Sequence, residues 1–292
     1  MFSLLRDRIG QQVMQINGLS LNEFDLTQPS GDPGLFGPDS IVWEVHGDFP
    51  AMLCGGIAAL LLQMQHPAAL AGVWDHSSFR SDMTGRLRRT SQFIAVTSFG
   101  NRRDANYLID KVAAIHRHVN GQDALGRPYA ASDPALLTWV HVAETSSFLA
   151  AHLRYKNPSL SLAEQNRYYA EAALTARALG ATDIPLTVQQ VNDYLQAMRP
   201  ALEIDDRTHE VTRILYAAPP PTPAARPVMK VILEAAGDLL PCWTSVPGRV
   251  QRSALQQQST RLAMQGIAGL LRWSVPQGAR YKALRRTGRL FE

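Results

Sequence analysis

Residues 55–100 read GGIAALLLQMQHPAALAGVWDHSSFRSDMTGRLRRTSQFIAVTSFG. The apolar run from Met52 to Leu62 that enters this stretch falls short of the roughly 20 apolar residues that cross a bilayer, and it ends in Gln63, Gln65 and His66. It therefore reads as a core helix from Pro50 to about Gln65. Gly55 and Gly56 in its middle lower helix propensity by about 1 kcal/mol each relative to alanine. The return expected for that cost is close approach of another backbone or a flat ligand. Proline disfavours helical geometry in the residue before it, so a break falls at His66-Pro67. Asp82 or Thr84 opens the next helix, which runs to Phe99 with Gly100 as its C′ residue.

Outward from this stretch the pattern stays helical. Ser30 to Ser40 is a Gly/Pro-rich loop, and Asp39 or Ser40 caps a helix beginning near Ile41. Leu108, Val112, Ile115 and Val119 recur at helical spacing, which predicts a helix over 102–119. Asp133-Pro134 starts a helix to Tyr155, and Ser161 with Glu164 forms a capping box for one ending near Gly180. Shorter helices follow over 187–198 and 208–216. No alternating run bounded by hairpin turns marks a strand. The fold class is thus all-α: one globular helical domain around a buried cofactor pocket. The division is an N-terminal arm over 1–29, a main domain over 30–240 and a C-terminal helical extension over 241–292. The proline-rich 217–223 segment reads as a domain linker or as a crossover within one domain, and the second is favoured because the residues beyond it are few for a core of their own.

The 292 residues are 46% apolar and 18% charged, with a net charge of +4. The arginines are dispersed and no nucleic-acid motif occurs, so no nucleic acid is expected as a partner. Two distant cysteines exclude a disulfide framework and fit a reducing compartment. The N-terminus lacks a secretory pattern, and the expectation is cytoplasmic. The basic 279–286 segment reads either as a solvated end or as a patch for peripheral contact with an anionic membrane surface. Nucleotide-binding glycine motifs, a nucleophile elbow and a His-Glu-x-x-His metal site are absent.

Eight histidines remain. His116 shares a face with Ile109, Val112 and Val119, which suits either a packed neutral imidazole or an iron ligand between helices. His141 lies in Leu137-Thr138-Trp139-Val140-His141 with Glu144 and Thr145 one turn on, and reads as a hydrogen-bonded core histidine or an orienting partner. His66 ends the buried helix, and His76 looks like a loop or capping residue. His46, His152 and His209 carry no signal. Arg86 and Thr90 stand one turn apart with Phe93 and Thr97. Arg86 is either a surface cation or the partner of an anion such as a haem propionate.

In chain order, Gly31-Asp32-Pro33-Gly34-Leu35-Phe36-Gly37-Pro38, Gln65-His66-Pro67, Gly72-Val73-Trp74-Asp75-His76-Ser77, Arg86-Leu87-Arg88-Arg89-Thr90, Ile115-His116 and Trp139-Val140-His141 form a set. Over roughly residues 30–240 this set resembles the bacterial oxygenase superfamily of the rubber oxygenases (latex-clearing proteins) and the MpaB-type oxygenases. The resemblance implies an all-helical fold around non-covalent haem b, with His116 as the iron ligand. It implies Arg86 and Thr90 as the catalytic polar pair, and His66 and His141 as further haem-pocket residues. It further implies an oxidoreductase acting with dioxygen on an apolar small molecule, supplied by an electron donor. A haem carrier or sensor without turnover is the alternative. The rubber oxygenases carry an Arg-His pair one turn past the ligand, where this chain has Asn120 and Gly121, and their acidic residue upstream of the arginine has no clear counterpart. Polyisoprene cleavage therefore does not carry over.

Overall fold

A computed structural model describes residues 6, 10, 23–220, 222–247 and 252–290. The expected N-terminal arm lies largely outside them. Ser40 caps the first described helix, α1 (Ile41–His46), by accepting from Trp43 N. Asp48 caps α2 (Phe49–Gln63). Pro67 does break the helix at His66, and it also starts another, since proline is pre-organised for a first helical position. The resulting α3 (Pro67–His76) was not foreseen, and it places His76 on a helix end rather than in a loop. Asp82 caps α4 (Met83–Phe99), and Asn101 caps α5 (Arg102–His116). Gly100 between them has φ −68°, so it is extended rather than the left-handed C′ residue expected.

Helix α5 stops at His116, three residues early. The chain there enters a small antiparallel hairpin, β1 (Asn120–Gln122) with β2 (Pro128–Ala130), where only a loop was expected. Asp123 closes its turn by accepting from Leu125 N and Arg127 N and pairing with the Arg127 guanidinium. Then follow α6 (Pro134–Tyr155), α7 (Leu162–Leu179, with the Ser161–Glu164 capping box), α8 (Val188–Met198), α9 (Asp206–Ala217), α10 (Arg226–Gly237), α11 (Ala254–Ser274) and α12 (Ala279–Arg286). The protein is thus mostly α, with twelve α-helices among the described residues.

Helix α2 is apolar all round because it is enclosed all round. One side packs with Val211 and Leu215 of α9, Ile232 and Leu233 of α10, and Met264 of α11. Its Leu62 joins a second cluster with Val42 of α1, Trp139 and Phe148 of α6, and Tyr168 of α7. Each buried leucine, isoleucine or phenylalanine contributes about 1.5–3 kcal/mol. Helices on both sides of the proline-rich segment share the α2 core, so the segment crosses over within one packed body. The boundary expected near residue 240 falls between α10 and α11, which pack on each other. Among the described residues no single helix is long and apolar enough to cross a membrane, and the α2–α3 pair is bent by 104°.

Two contacts set the layout. Helix α6 passes so close to α2 that a Cβ on Gly55 would lie 3.0 Å from Phe148 Cα and from Ser147 O, while one on Gly56 would meet only Phe148 Cε1 at 3.8 Å. At the other end Arg286, 2% exposed, donates to the carbonyls of Leu26 and Asp32 at 2.8 Å and of Phe99 at 2.6 Å. The basic C-terminal segment is therefore not a uniformly solvated end. It pins the Gly/Pro-rich loop to the α4–α5 junction.

The two glycines should respond with opposite signs. Gly55→Ala overpacks a backbone contact and should lower stability by about 1–3 kcal/mol. Gly56→Ala meets open space and should raise it by up to about 1 kcal/mol through helix propensity. Urea unfolding midpoints of the two variants, compared at equal slope, check this.

Candidate functional site

Helical spacing builds a large space beside α4. On α4, Thr84, Leu87, Arg88, Ser91, Ile94 and Ala95 recur at i, i+3, i+4 and so share one face. That face looks across at Met52, Leu53, Gly56 and Ile57 of α2. Residues of α9 to α12 and the 275–278 connection close the remaining sides, leaving a cavity of about 950 Å³. Most of its wall is aliphatic or aromatic, as small-molecule sites are.

The polar groups in this wall are few. Asp48 is held by Arg272 in a two-pronged pair at 2.7 and 2.9 Å. Arg88 and Arg280 each bury Nε with no hydrogen-bond partner. His46 is the single imidazole of the wall. Its Nδ1 lies 2.7 Å from Ser98 Oγ and its Nε2 3.0 Å from Tyr168 Oη, with Phe148 edge-on at 5.2 Å. Desolvation, reinforced by His141 and His152 nearby, drives its pKa down to about 3, so it stays neutral.

Behind this wall lies a second, titratable layer. His141 and Glu144 stand one turn apart on α6, and both are half-buried. Desolvation is the leading influence on each. It pushes His141 down to about 4, with help from Arg177, and Glu144 up to about 7. Tyr168, which bonds His46, is raised well above its ordinary value by burial, then by Tyr169 and Glu144. A polar line thus runs from the cavity through His46 and Tyr168 towards Glu144.

The residues singled out from sequence separate. Arg86 does not face the cavity. It is half-buried, its guanidinium makes no hydrogen bond among the described residues, and desolvation, then Arg89, lowers it to about 10. Thr90 stands at the cavity rim, exposed, donating to Arg86 O at 3.2 Å. His116 closes α5, which packs on α4, the helix that carries Arg86. It is half-buried, its Nδ1 has no partner, and desolvation lowers its pKa. His141 belongs with His46 and Glu144, as above. His66 lies apart, against Trp139 at 5.8 Å and near Arg127 of the hairpin turn, its Nδ1 also unpartnered.

His46 and Glu144 are the functional candidates that sequence reasoning passed over. Val42 and His46 at i, i+4 on a buried helix were the available signal for the first. For the second the signal was Glu144 four residues before Phe148 and three after His141. Haem needs a neutral imidazole with a free nitrogen and cations for its carboxylates. His46 has no nitrogen left over. His116 offers a neutral, unpartnered ring, with the unpaired Arg86 guanidinium on the neighbouring helix, so this pair fits the group. No three His, Cys, Asp or Glu side chains converge as a metal-ion cage among the described residues.

The family model for the catalytic domain of the ER-bound oxygenase mpaB/B′ and the rubber oxygenases matches residues 43–273, from within α1 through nearly all of α11. No curated protein and no solved structure gives a match. The matched span includes α4, α5 and α6, which carry Arg86, His116, His141 and Glu144. The chain belongs to the mpaB/rubber oxygenase catalytic-domain family, and its mostly helical fold is an oxygenase domain.

Proposed function

We propose that this oxygenase depends on haem b and uses dioxygen on an apolar organic substrate. The observation that carries the reading is His116, a neutral imidazole with an unpartnered ring nitrogen, on a helix packed against the one that carries the unpaired Arg86. An unpaired, desolvated guanidinium costs stability, and an anion at that place would offset the cost.

Bound haem would supply dioxygen activation and one-electron chemistry, which side chains lack. The chain's own residues do the rest. His116 would hold the iron, and Arg86 would bind a propionate. Thr90 fixes the α4 backbone at Arg86 through its hydrogen bond to Arg86 O. His141, neutral at physiological pH, and Glu144, near half-protonation there, would accept and return protons within water-poor space. The aliphatic cavity walls would exclude water and hold the substrate.

Protein expressed with haem supplementation should show a Soret band, and His116→Ala should abolish it. A band that persists unchanged in that variant moves the ligand to His141 or His66, and no band on adding hemin ends the haem reading. Arg86→Met should raise the apo-protein's melting temperature while weakening haem retention on gel filtration. An unchanged melting temperature together with unchanged haem retention rejects the anion-partner role.

Glu144 gives a pH test that does not need activity. Its folded pKa is raised, so between about 4.5 and 7 the native state holds a proton that the unfolded state has lost. Its contribution is therefore neutral below pH 4.5 and becomes increasingly unfavourable up to about pH 7. Glu144→Gln should be more stable than wild type at pH 8, with the difference vanishing near pH 4.5. Denaturant titrations across that range check it.

A further inference from the structure

The cavity between α2 and α4 holds more positive charge than its own wall neutralises. Among the described residues lining it Asp48 is the sole acidic one, and Arg272 already occupies both of its oxygens. Arg88 and Arg280 remain. Neither guanidinium makes a hydrogen bond or an ion pair among the described residues, and each has its Nε sealed from water. Arg280 is held in place from behind: a Cβ on Gly47 would fall 2.6 Å from its Cδ. Leaving two guanidiniums half-desolvated and unpaired is unfavourable unless an anion arrives to meet them.

The rest of the wall is apolar and spacious. At about 950 Å³ the cavity lies at the upper end of small-molecule sites. Haem would also match an apolar body with carboxylates. However, the one imidazole in the wall has its two nitrogens against Ser98 and Tyr168, and none remains for an iron. His116, His141 and His66 are not part of the wall.

We propose that this cavity is the substrate site and that the substrate is an amphipathic carboxylate: its apolar chain lies along the α2 and α4 faces and its carboxylate sits on Arg88 and Arg280. The inference deepens the oxygenase reading by naming the substrate class, and it rests on that reading only for the word substrate. The binding itself needs no haem.

The test is a fluorescence titration of the full chain, haem-free and again after hemin addition, with cis-parinaric acid and with its methyl ester. The acid should bind at least about tenfold more tightly than the ester, the size expected from a charge-assisted pair. In the Arg88→Gln/Arg280→Gln double variant that preference should fall to about one, while ester binding persists and shows that the cavity is still folded. If the double variant fails to fold, each single variant should lose part of the preference. Leu53→Trp, which narrows the space along the α2 face, should weaken both ligands so far that neither survives as measurable binding at the wild-type's saturating concentration.

Equal binding of acid and ester by the wild type would overturn the proposal. So would an unchanged preference in folded arginine variants, or binding that survives Leu53→Trp. Mole-for-mole displacement of the chain by hemin would overturn it too, by making the cavity the haem's. A protein without a Soret band that still prefers the acid would keep this inference while ending the haem reading.

Discussion

The contact on which the molecule depends is the approach of α6 to α2 at Gly55. With Phe148 Cα and Ser147 O at 3.0 Å from where a Cβ would stand, the two helices touch backbone to side-chainless backbone. Interiors are close-packed and do not absorb a misplaced methyl without shifts. The same approach brings the Phe148 ring against His46 and into the cavity wall. One glycine thereby ties the core helix, the cavity and the start of the polar line into a single geometry.

Around that pair, α4 acts as a partition. Its 84/87/88/91/94/95 face belongs to the apolar cavity, whereas Arg86 is not part of that wall, and α5 packs against the same helix. A helix that divides two spaces must carry polar residues on more than one face. This explains why the Arg86–Thr90 stretch holds three arginines that serve different ends. Arg88 enters the cavity, Arg89 pairs with Asp82 at the surface, and Arg86 stays unpaired inside. Desolvation is the common electrostatic theme. It keeps His46, His116 and His141 neutral and lifts Glu144, so the interior offers uncharged imidazoles and a carboxyl able to exchange a proton near neutral pH.

Much of the helical frame was legible in local chemistry. Ser40, Asp82 and Asp133 cap where their side chains could reach the next free N–H groups, and the Ser161–Glu164 box formed as read. Errors arose where a residue has two local meanings. Pro67 both ends one helix and begins another, and only its starting role produces α3. Gly100 looked like a left-handed cap, yet it is extended because Asn101 immediately caps α5. The hairpin over 120–130 was missed because its strands are three residues long and its order comes from Asp123, not from alternation.

What the sequence determined by itself was the class of the fold and the family. Capping, helical periodicity and the ordered motifs from the Gly/Pro-rich loop to Trp139-Val140-His141 are local or order-preserving signals, and they survive without coordinates. What only the tertiary structure decided was which polar residues share a space. Arg86 and Thr90, one turn apart, were read as one face, yet Thr90 sits at the cavity rim and Arg86 does not line the cavity. Arg88 and Arg280, nearly two hundred residues apart in sequence, both line the one cavity. The reason is physical: helical spacing specifies a direction around an axis, whereas burial and pairing depend on which other helices arrive in that direction.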